Sequence, residues 1–369
     1  MSHPSHFTPV TYADLPGWAE DDHAPAFAAL RRSAFRVLEK PYRSGELGIG
    51  AESFAAVYED VRANTEMTGK EARAFFERHF TPCRVTPSAN AEHGFVTGFY
   101  EPEAPASPVR APGFAYPILS RPDDLVDIDD GNRPAGLDPY LAFGRKTEKG
   151  IVEYFDREAI ESGALAGRRL EMAWLADPVD VFFIHVQGAA RLNMTDGSVR
   201  RITYAAKSGQ RFTGVGKVLA EMGEIPLKRV TMQSIRAWFA RHPERVDEIL
   251  WHNRSFIFFR DAPALDPSLG PIAAAKVQLT PGRSVAVDRL LHTFGTPFYI
   301  DAHTLTAFDG KPFRRLMIAQ DTGSAILGAA RGDLFAGSGV AAGEIAGGIK
   351  HPADFYALVP RSLAAGWSR

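Results

Sequence analysis

The sequence predicts a mainly β protein with helices near its amino terminus and two domains. The 369 residues are enough for two domains of ordinary size. Apolar residues recur at three- and four-residue spacing through most of the first hundred positions, which predicts amphipathic helices there. After residue 93, short apolar runs separated by Gly, Asp and Pro predict strands. The hydrophobic fraction of 45% is high enough for each domain to bury a core.

Four segments are predicted to be helical. Two of them begin with a threonine suited to N-capping, Thr68 and Thr231. The segments are residues 21–39, 52–64 (ESFAAVYEDVRAN), 68–80 (TGKEARAFFERHF) and 231–251 (TMQSIRAWFARHPERVDEILW), the last with a break near Pro243.

The other regular segments are predicted to be strands. They are HGFVTGFYEPEAP, GFAYPIL, DVFFIHVQG, VRRITYAA, SFIFFRD, AKVQLT, SVAVD, TPFYIDA, FRRLMIAQD and ADFYALVP. The proline-rich stretch EPEAPASPVRAPG (101–113) is expected to be a linker. No long sequence period recurs, which excludes solenoids and propellers.

Composition and missing motifs exclude several classes of function. The net charge of −2, without a run of like charges, gives no electrostatic basis for nucleic-acid binding. Cys83 is the only cysteine, which excludes an internal disulfide and a cysteine-rich metal site. The chain has no P-loop, no G-x-G-x-x-G after a strand, no H-E-x-x-H and no G-x-S-x-G. We therefore expect neither a metal nor a cofactor.

Three aspartates are each expected at the end of a strand: Asp288 in SVAVD, Asp321 in IAQD and Asp333 in RGD. Carboxylates gathered at one mouth of a barrel are suited to acid catalysis. A single aspartate can equally well cap a turn. Asp321 also opens the sequence DTGS, which begins the catalytic turn of aspartic proteases, but the second Asp-Ser/Thr-Gly turn of a single-chain protease is missing. An aspartic protease therefore has little support.

The order of six stretches is more specific than any of them alone. The sequence resembles the MltA family of lytic murein transglycosylases, whose "3D" domain is a double-psi β-barrel. The resemblance rests on TGFYEPE, WLADPVDVFFIHVQGAARL, YAAKSGQRFTGVGKVL, MQSIRAWFARHP, NRSFIFF and VAVD…AQDTGSAI-x6-DLFAG, spread over roughly residues 90–360. Departures are small: Arg254 stands where proline usually follows the asparagine, and Lys207-Ser208 replaces a usual polar-Asn step.

The resemblance implies the domain organisation. Residues 1–102 and 263–369 would form a discontinuous catalytic domain of helices and a double-psi β-barrel. Residues 103–262 would form an inserted β-rich, barrel-like substrate domain, with the glycan in a groove between the two. We expect a monomer that binds peptidoglycan glycan strands, and the sequence identifies no cell-wall synthesis or divisome partner.

The resemblance also implies the activity. The family cleaves the β-1,4 bond between N-acetylmuramic acid and N-acetylglucosamine and leaves a 1,6-anhydro end. Because the sugar's own C6 hydroxyl attacks C1, one residue with a raised pKa can serve first as acid and then as base. The strongest alternative of another class is a non-catalytic glycan-binding barrel.

Site residues are carried over from the family by position. Asp333 is expected to be the catalytic acid, Asp321 to support it, and Asp288 to be structural. Thr97 matches a threonine near the acid. The expected substrate contacts are Thr97, Tyr100, Gln187, Gly188, Tyr204 and Phe335, with Phe99 and Arg191 as further candidates. His185 is expected to be a packed strand residue.

The start of the chain bears on location. MSHPSHF has no apolar core of a signal peptide, and no stretch approaches the roughly 20 apolar residues that span a bilayer. Because murein lies outside the cytoplasmic membrane, we expect an export leader encoded upstream of residue 7, a periplasmic location and, in one alternative, association with the outer membrane.

Overall fold

The computed structural model describes residues 6–87, 92–263 and 266–367. The chain divides into two compact units. Met1–Tyr100 and Leu265–Arg369 form the first, called the barrel unit, and Glu101–Ala264 form the second, called the inserted unit. Strands and helices are numbered along the whole chain.

The first helices of the barrel unit lie where the sequence predicts them. They are α1 (Ala24–Arg36), α2 (Ala55–Ala63) and α3 (Gly69–His79). Thr68 caps α3 as predicted: its hydroxyl accepts from the Glu71 N–H at 3.3 Å, and the Glu71 carboxylate accepts from the Thr68 N–H at 2.8 Å. The apolar faces of these helices belong to the same core as the strands, which fixes the helices against the barrel.

Eight strands of the barrel unit form one sheet in the order β1-β2-β17-β14-β15-β13-β16-β3. They are β1 (Phe7–Pro9), β2 (Phe80–Val85), β3 (Gly94–Glu101), β13 (Ser284–Val287), β14 (Pro297–Ala302), β15 (Phe313–Asp321), β16 (Arg331–Ser338) and β17 (Lys350–Pro360). Because β3 also pairs with β17, the six strands from β17 to β3 close on themselves. This is the predicted double-psi β-barrel, and α9 (Gly339–Gly348) and α10 (Arg361–Trp367) complete the unit.

The inserted unit contains a second six-stranded sheet, in the order β12-β11-β10-β4-β9-β5. Its strands are β4 (Glu103–Ser107), β5 (Tyr116–Leu119), β9 (Glu171–Leu175), β10 (Ala189–Met194), β11 (Val199–Lys207) and β12 (Ile257–Asp261). A bridge between Ser120 and Phe259 joins its two edges. A small sheet of β6 (Leu125–Asp127), β7 (Phe143–Thr147) and β8 (Gly150–Val152) stands apart. The predicted barrel-like domain is thus present.

Helices complete the inserted unit. They are α4 (Arg157–Ala159), α5 (Pro178–Gln187), α6 (Val215–Glu221), α7 (Met232–Arg241) and α8 (Val246–Trp251). Thr231 caps α7 by accepting from the Ser234 N–H at 3.1 Å, and a 3-10 turn, Pro243–Arg245, separates α7 from α8 as predicted. Within the described residues, no helix is both long and apolar enough to cross a membrane.

The prediction of a strand at DVFFIHVQG is wrong, because this segment is α5. Asp177 accepts from the Val179 N–H at 2.8 Å, Pro178 occupies the first turn, and Gly188 ends the helix at φ 75°. Residues 181–185 are all buried, so the helix has no polar face there. A short, fully apolar run does not distinguish a buried helix from a buried strand.

Two further predictions are wrong. AKVQLT forms no strand and contributes only an isolated bridge between Ile272 and Gln278. EPEAPASPVRAPG is not merely a linker, since part of it is β4. Pro105 is tolerated in β4 because β9 pairs only with Ala106 and Ser107, so the missing N–H of Pro105 costs no ladder hydrogen bond.

The fully buried Arg157 is expected to stabilise the inserted unit. Its guanidinium donates to the carbonyls of Asn253 at 3.0 Å and Ser255 at 2.8 Å and pairs with Glu161 at 2.8 Å. Arg157→Leu leaves these acceptors unpaired and should lower the free energy of urea unfolding by about 3–5 kcal/mol. Arg254→Ala, which removes a largely exposed partner of Asp156, should cost no more than about 1 kcal/mol. Equal losses in the two variants would contradict this assignment.

Candidate active site

Asp321 and Asp333 lie on either side of Ala286 in the barrel wall. Ala286 of β13 pairs with Asp321 of β15 on one side and with Asp333 of β16 on the other. The register of β13 and β15 shifts between Val285 and Ala286, so that Asp321 and not Gln320 stands beside Ala286. The three residues Asp321, Ala286 and Asp333 thus form one row. Strand spacing places the two aspartate backbones about 10 Å apart.

This row lies on the outer face of the barrel. Leu334 belongs to the main core, whereas its neighbour Phe335 belongs to a separate small cluster with Phe99, Leu279 and Ala286. Side chains alternate along a strand, so Asp333 faces the same way as Phe335 and away from the main core. Asp333 is the third residue of β16 and not the end of a strand, which corrects the prediction of three strand-end aspartates.

Side chains of β16 and β3 meet in three pairs on this outer face. Arg331 lies over the ring of Phe95 at 5.5 Å, Thr97 donates a hydrogen bond to Asp333, and Phe335 packs on Phe99 with ring centroids 5.2 Å apart. The alternation of Arg331, Asp333 and Phe335 matches that of Phe95, Thr97 and Phe99, so the pairing of β3 with β16 determines which side chains meet.

The carboxyl of Asp333 has a raised pKa. Burial is the main cause, because it disfavours the charged form. The hydrogen bond from Thr97 to Oδ1 of Asp333 and the positive charge of Arg331 lower the pKa in part. Arg331 Nη2 in turn donates to Oγ1 of Thr97 at 2.7 Å. Sequence analysis missed Arg331, although RGDLF places it two residues before Asp333 on the same strand face.

Burial also raises the pKa of Asp321, to about 6, and the charge of Asp333 adds to the rise. Backbone N–H groups of Thr322 and Ala274 oppose it, the latter donating to Oδ1 at 3.1 Å. The charge of Asp333 is thus a smaller cause of the raised pKa of Asp321, after burial. Asp288 makes structural contacts instead. Its carboxylate accepts hydrogen bonds from the N–H groups of Leu290 at 3.1 Å and Gly328 at 2.9 Å, as is typical of an aspartate that stabilises a turn.

Phe335 has no exposed surface, so the prediction that it stacks on a sugar is wrong. It packs on Phe99, and a Cβ added at Gly270 would lie 2.3 Å from its ring. Tyr100 is 7% exposed and lies against α9, where a Cβ at Gly343 would approach its ring to 2.8 Å. A sugar contact by Tyr100 stays a prediction.

Three predicted substrate residues lie together in the inserted unit. Gln187 is the last residue of α5, Gly188 ends the helix, and the N–H of Tyr204 donates to the Gly188 carbonyl at 2.8 Å. Tyr204 is 40% exposed, and Gln187 is half-buried. Their contact with substrate stays a prediction. Arg191 makes an ion pair with the buried Glu101 at 2.9 Å, which gives it a structural contact.

His185 is a packed helix residue and not the expected strand residue. Its Nδ1 lies 3.1 Å from Nη2 of Arg157, and burial holds its pKa well below the usual value of 6.5.

Among the residues that the structure describes, no group of three or more His, Cys, Asp or Glu side chains could hold a metal ion. Two cavities of ≈ 330 and ≈ 600 Å³ are lined by residues of the inserted unit, and neither Asp321 nor Asp333 lines them.

The fold and the site define a class: a double-psi β-barrel protein with an inserted β unit and two half-buried carboxyls of raised pKa on its barrel wall. Sequence families give the finer assignment. Residues 95–260 match the MltA specific insert domain, and residues 283–359 match the 3D domain. The chain belongs to the MltA family.

Known proteins agree with this assignment. The crystal structure of a membrane-bound lytic murein transglycosylase from Agrobacterium tumefaciens is 51% identical, with 98% of this chain and 99% of that chain covered and a TM-score of 0.92. The Escherichia coli (strain K12) membrane-bound lytic murein transglycosylase A is 32% identical over 268 residues, 71% of this chain and 64% of the relative. The match thus spans less than two thirds of that relative. E. coli MltA with bound chitohexaose is 26% identical over 97% of this chain and 96% of that chain, with a TM-score of 0.68.

The coupling of the two carboxyls can be measured directly. Carbon-13 NMR of aspartate carboxyls, assigned with Asp321→Asn, should give Asp321 a pKa of about 6. In Asp333→Asn the neighbouring negative charge is removed, so the pKa of Asp321 should fall. An unchanged pKa of Asp321 in that variant would show that the two carboxyls are not coupled.

Proposed function

We propose that the protein is a lytic murein transglycosylase that cleaves the β-1,4 bond between N-acetylmuramic acid and N-acetylglucosamine and leaves a 1,6-anhydro end. The observation that carries the proposal is Asp333, a half-buried carboxyl with a raised pKa on the wall of a 3D-domain barrel. Membership of the MltA family and the chitohexaose bound to E. coli MltA support a glycan as the substrate.

Asp333 acts first as an acid. Its proton passes to the glycosidic oxygen as the bond from that oxygen to C1 breaks, and the N-acetylglucosamine end leaves with a new hydroxyl. The C6 hydroxyl of the same muramic acid then bonds to C1. Asp333, now a carboxylate, takes the C6 hydroxyl proton and returns to its starting state. No water is consumed, and a single carboxyl suffices.

Hydrogen bonding separates the roles of the two aspartates, because burial raises the pKa of both. Backbone N–H groups donate to Asp321 and are fixed donors that favour its ionised form. Asp333 accepts only from the Thr97 hydroxyl among its described side-chain partners. We therefore assign acid catalysis to Asp333 and a supporting role to Asp321.

Hydrolysis by two carboxyls is the alternative reaction. A hydrolase needs a second carboxyl beside the acid, as a nucleophile or as a base for water, whereas the lyase reaction needs only one. In an inverting hydrolase, Asp321 would be the base for water. Its product would carry a reducing end in place of the anhydro ring.

Asp333→Asn should abolish the release of anhydro-muropeptides from purified sacculi. The amide keeps the shape of the side chain but carries no acidic proton, and loss of a general acid typically costs about 10²–10⁴ in rate. Folding and glycan sedimentation should be retained. Asp309→Asn, which removes a barrel-unit carboxyl paired with Arg315, is the matched control and should keep full activity. Near-normal turnover of Asp333→Asn would place the acid elsewhere, with Asp321 next to be tested.

We also propose that residues 1–102 and 263–369 form the catalytic domain and that residues 103–262 form a domain that contributes substrate contacts. Gln187, Gly188 and Tyr204 are the proposed contacts of this second domain, and Thr97 and Tyr100 those of the first. The amide of Gln187 can both donate to and accept from acetamido and hydroxyl groups.

Gln187→Ala should weaken glycan binding roughly two- to tenfold, the cost of one lost hydrogen bond. Val186→Ala is the matched control, since Val186 lies on the same helical turn and is 42% exposed. Isothermal titration with a soluble chitooligosaccharide measures both variants. Equal affinities for Gln187→Ala and the wild-type protein would remove Gln187 from the binding site.

The working location follows from the substrate. We propose that the protein acts as a monomer in the periplasm, because murein lies outside the cytoplasmic membrane. Its relatives in E. coli and Vibrio cholerae are named membrane-bound, which supports association with a membrane, and we propose the outer membrane. No regulatory partner is proposed.

A further inference from the structure

Arg331 is held in a fixed position beside the candidate acid without pairing with it. Its guanidinium donates to Oγ1 of Thr97 at 2.7 Å and to the Gly332 carbonyl, and it lies over the Phe95 ring at 5.5 Å. In the part of the chain that the structure describes, no ion pair joins it to the Asp333 carboxylate. The Arg331 guanidinium lies near the Asp333 carboxylate but donates to the Thr97 hydroxyl, which in turn donates to that carboxylate. Arg331 can therefore affect Asp333 by orienting the Thr97 hydroxyl.

The chemistry of the three groups fixes where the protons lie. A threonine hydroxyl has one proton to donate, and a guanidinium has only donors. Since Arg331 donates to Oγ1 of Thr97, the hydroxyl proton cannot point back at Arg331. Beside the ionised carboxylate, it points to Oδ1 of Asp333, which accepts it. When this direction is kept in the acid form, Oδ1 stays an acceptor and the proton of the acid sits on Oδ2.

We propose that Arg331 is a positioning residue that orients the Thr97 hydroxyl toward Oδ1 of Asp333, so that Oδ2 is the atom that gives its proton to the glycosidic oxygen and later takes one from the C6 hydroxyl. This inference rests on the proposed role of Asp333 as the acid. Arg331 orients the hydroxyl through Thr97, which sets kcat, and its charge acts through space on the pKa of Asp333, which sets the alkaline limit.

A second consequence is electrostatic. The positive charge of Arg331 lowers the pKa of Asp333 and partly offsets burial. The charged groups near this site include Asp321 on β15, Lys276, which lowers the pKa of Asp321, and Lys350 of β17, whose backbone pairs with that of Thr97 on β3. Removing the Arg331 charge leaves desolvation less opposed, so the pKa of Asp333 rises. The alkaline limit of kcat/KM, set by loss of the acid proton, should move to higher pH.

Kinetics of Arg331 variants on soluble glycan fragments test the inference. Arg331→Gln should lower kcat roughly 10- to 100-fold, the range for a lost hydrogen bond from a charged donor, and leave KM nearly unchanged. Its alkaline limit should move to higher pH. Arg331→Lys keeps the charge but not the planar fork, so it should keep the wild-type alkaline limit with an intermediate kcat. Arg84→Gln, at an exposed arginine paired with Asp354, is the matched control and should behave as wild type.

A double-mutant cycle separates action through Thr97 from an independent effect. Thr97→Val removes the hydroxyl and should lower kcat, and Thr97→Ser should restore most of that loss. In the Thr97→Val background, Arg331→Gln should cause less than a twofold further loss, because the group through which it acts is gone. If the fold-loss in kcat of the double variant equals the product of the two single-variant losses, the inference is wrong. It is also wrong if Arg331→Gln has the kcat of the wild-type protein. Activity in Asp333→Asn would instead overturn the proposed acid, so the two failures are distinguishable.

Folding controls keep each outcome interpretable. Thermal unfolding of every variant is measured alongside its kinetics. If Arg331→Gln is unstable, Arg331→Lys keeps the cation–π contact with Phe95 and its intermediate kcat remains the test. If Arg331→Lys has the kcat of the wild-type protein, the planar guanidinium is not needed to orient Thr97 and the inference is wrong. The expected intermediate kcat would support it.

Discussion

The hydrogen bond between Thr97 on β3 and Asp333 on β16 is the interaction on which the account depends. It exists only because β3 pairs with both β16 and β17 and so closes the barrel. The same strand pairing brings the cation of Arg331 to Phe95 and the ring of Phe335 to Phe99. Barrel closure and assembly of the candidate site are therefore one structural event, and a change that opens the β3 edge would remove both.

Charge and burial are balanced against each other around this contact. Desolvation favours protonated carboxyls at Asp321 and Asp333, and the charge of Asp333 also opposes ionisation of Asp321. At Asp321, backbone N–H groups favour the charged form. At Asp333, the Thr97 hydroxyl and the charge of Arg331 favour it. An acid that must both give and take a proton needs neither form to be strongly preferred. A half-buried carboxyl with one oriented hydrogen bond and a cation one group away meets that requirement.

Local periodicity predicted much of the fold. The helices over residues 21–39, 52–64 and 68–80 have a polar and an apolar face, and Thr68 carries its own capping signal, so the sequence pattern was sufficient. α5 could not be told from a strand because it is buried nearly all round, and its signals lie in the flanking Asp177-Pro178 and Gly188. Pro105 is tolerated in β4 because β9 does not pair with it. No local sequence pattern shows which residues of a strand a neighbouring strand leaves unpaired.

The candidate site was predictable only in part, for the same reason. Asp321 and Asp333 came from the family resemblance, and the structure places them on either side of Ala286. Phe335 was assigned to substrate because an aromatic ring can stack on a sugar face, whereas its burial is decided by Phe99, Leu279 and Gly270, all distant in sequence. Arg331 was missed because its role depends on Thr97, more than two hundred residues away. Contacts between strands that are remote in sequence determine each of these outcomes.

Digestion of purified sacculi in water enriched in oxygen-18, followed by mass spectrometry of the released muropeptides, tests the central claim most directly. If the C6 hydroxyl attacks C1 and Asp333 only moves protons, the new ends are 1,6-anhydro sugars, one water lighter than reducing ends and free of the heavy isotope. Reducing ends that carry oxygen-18 would contradict the account, because they require water as the nucleophile and a second carboxyl, such as Asp321, to activate it.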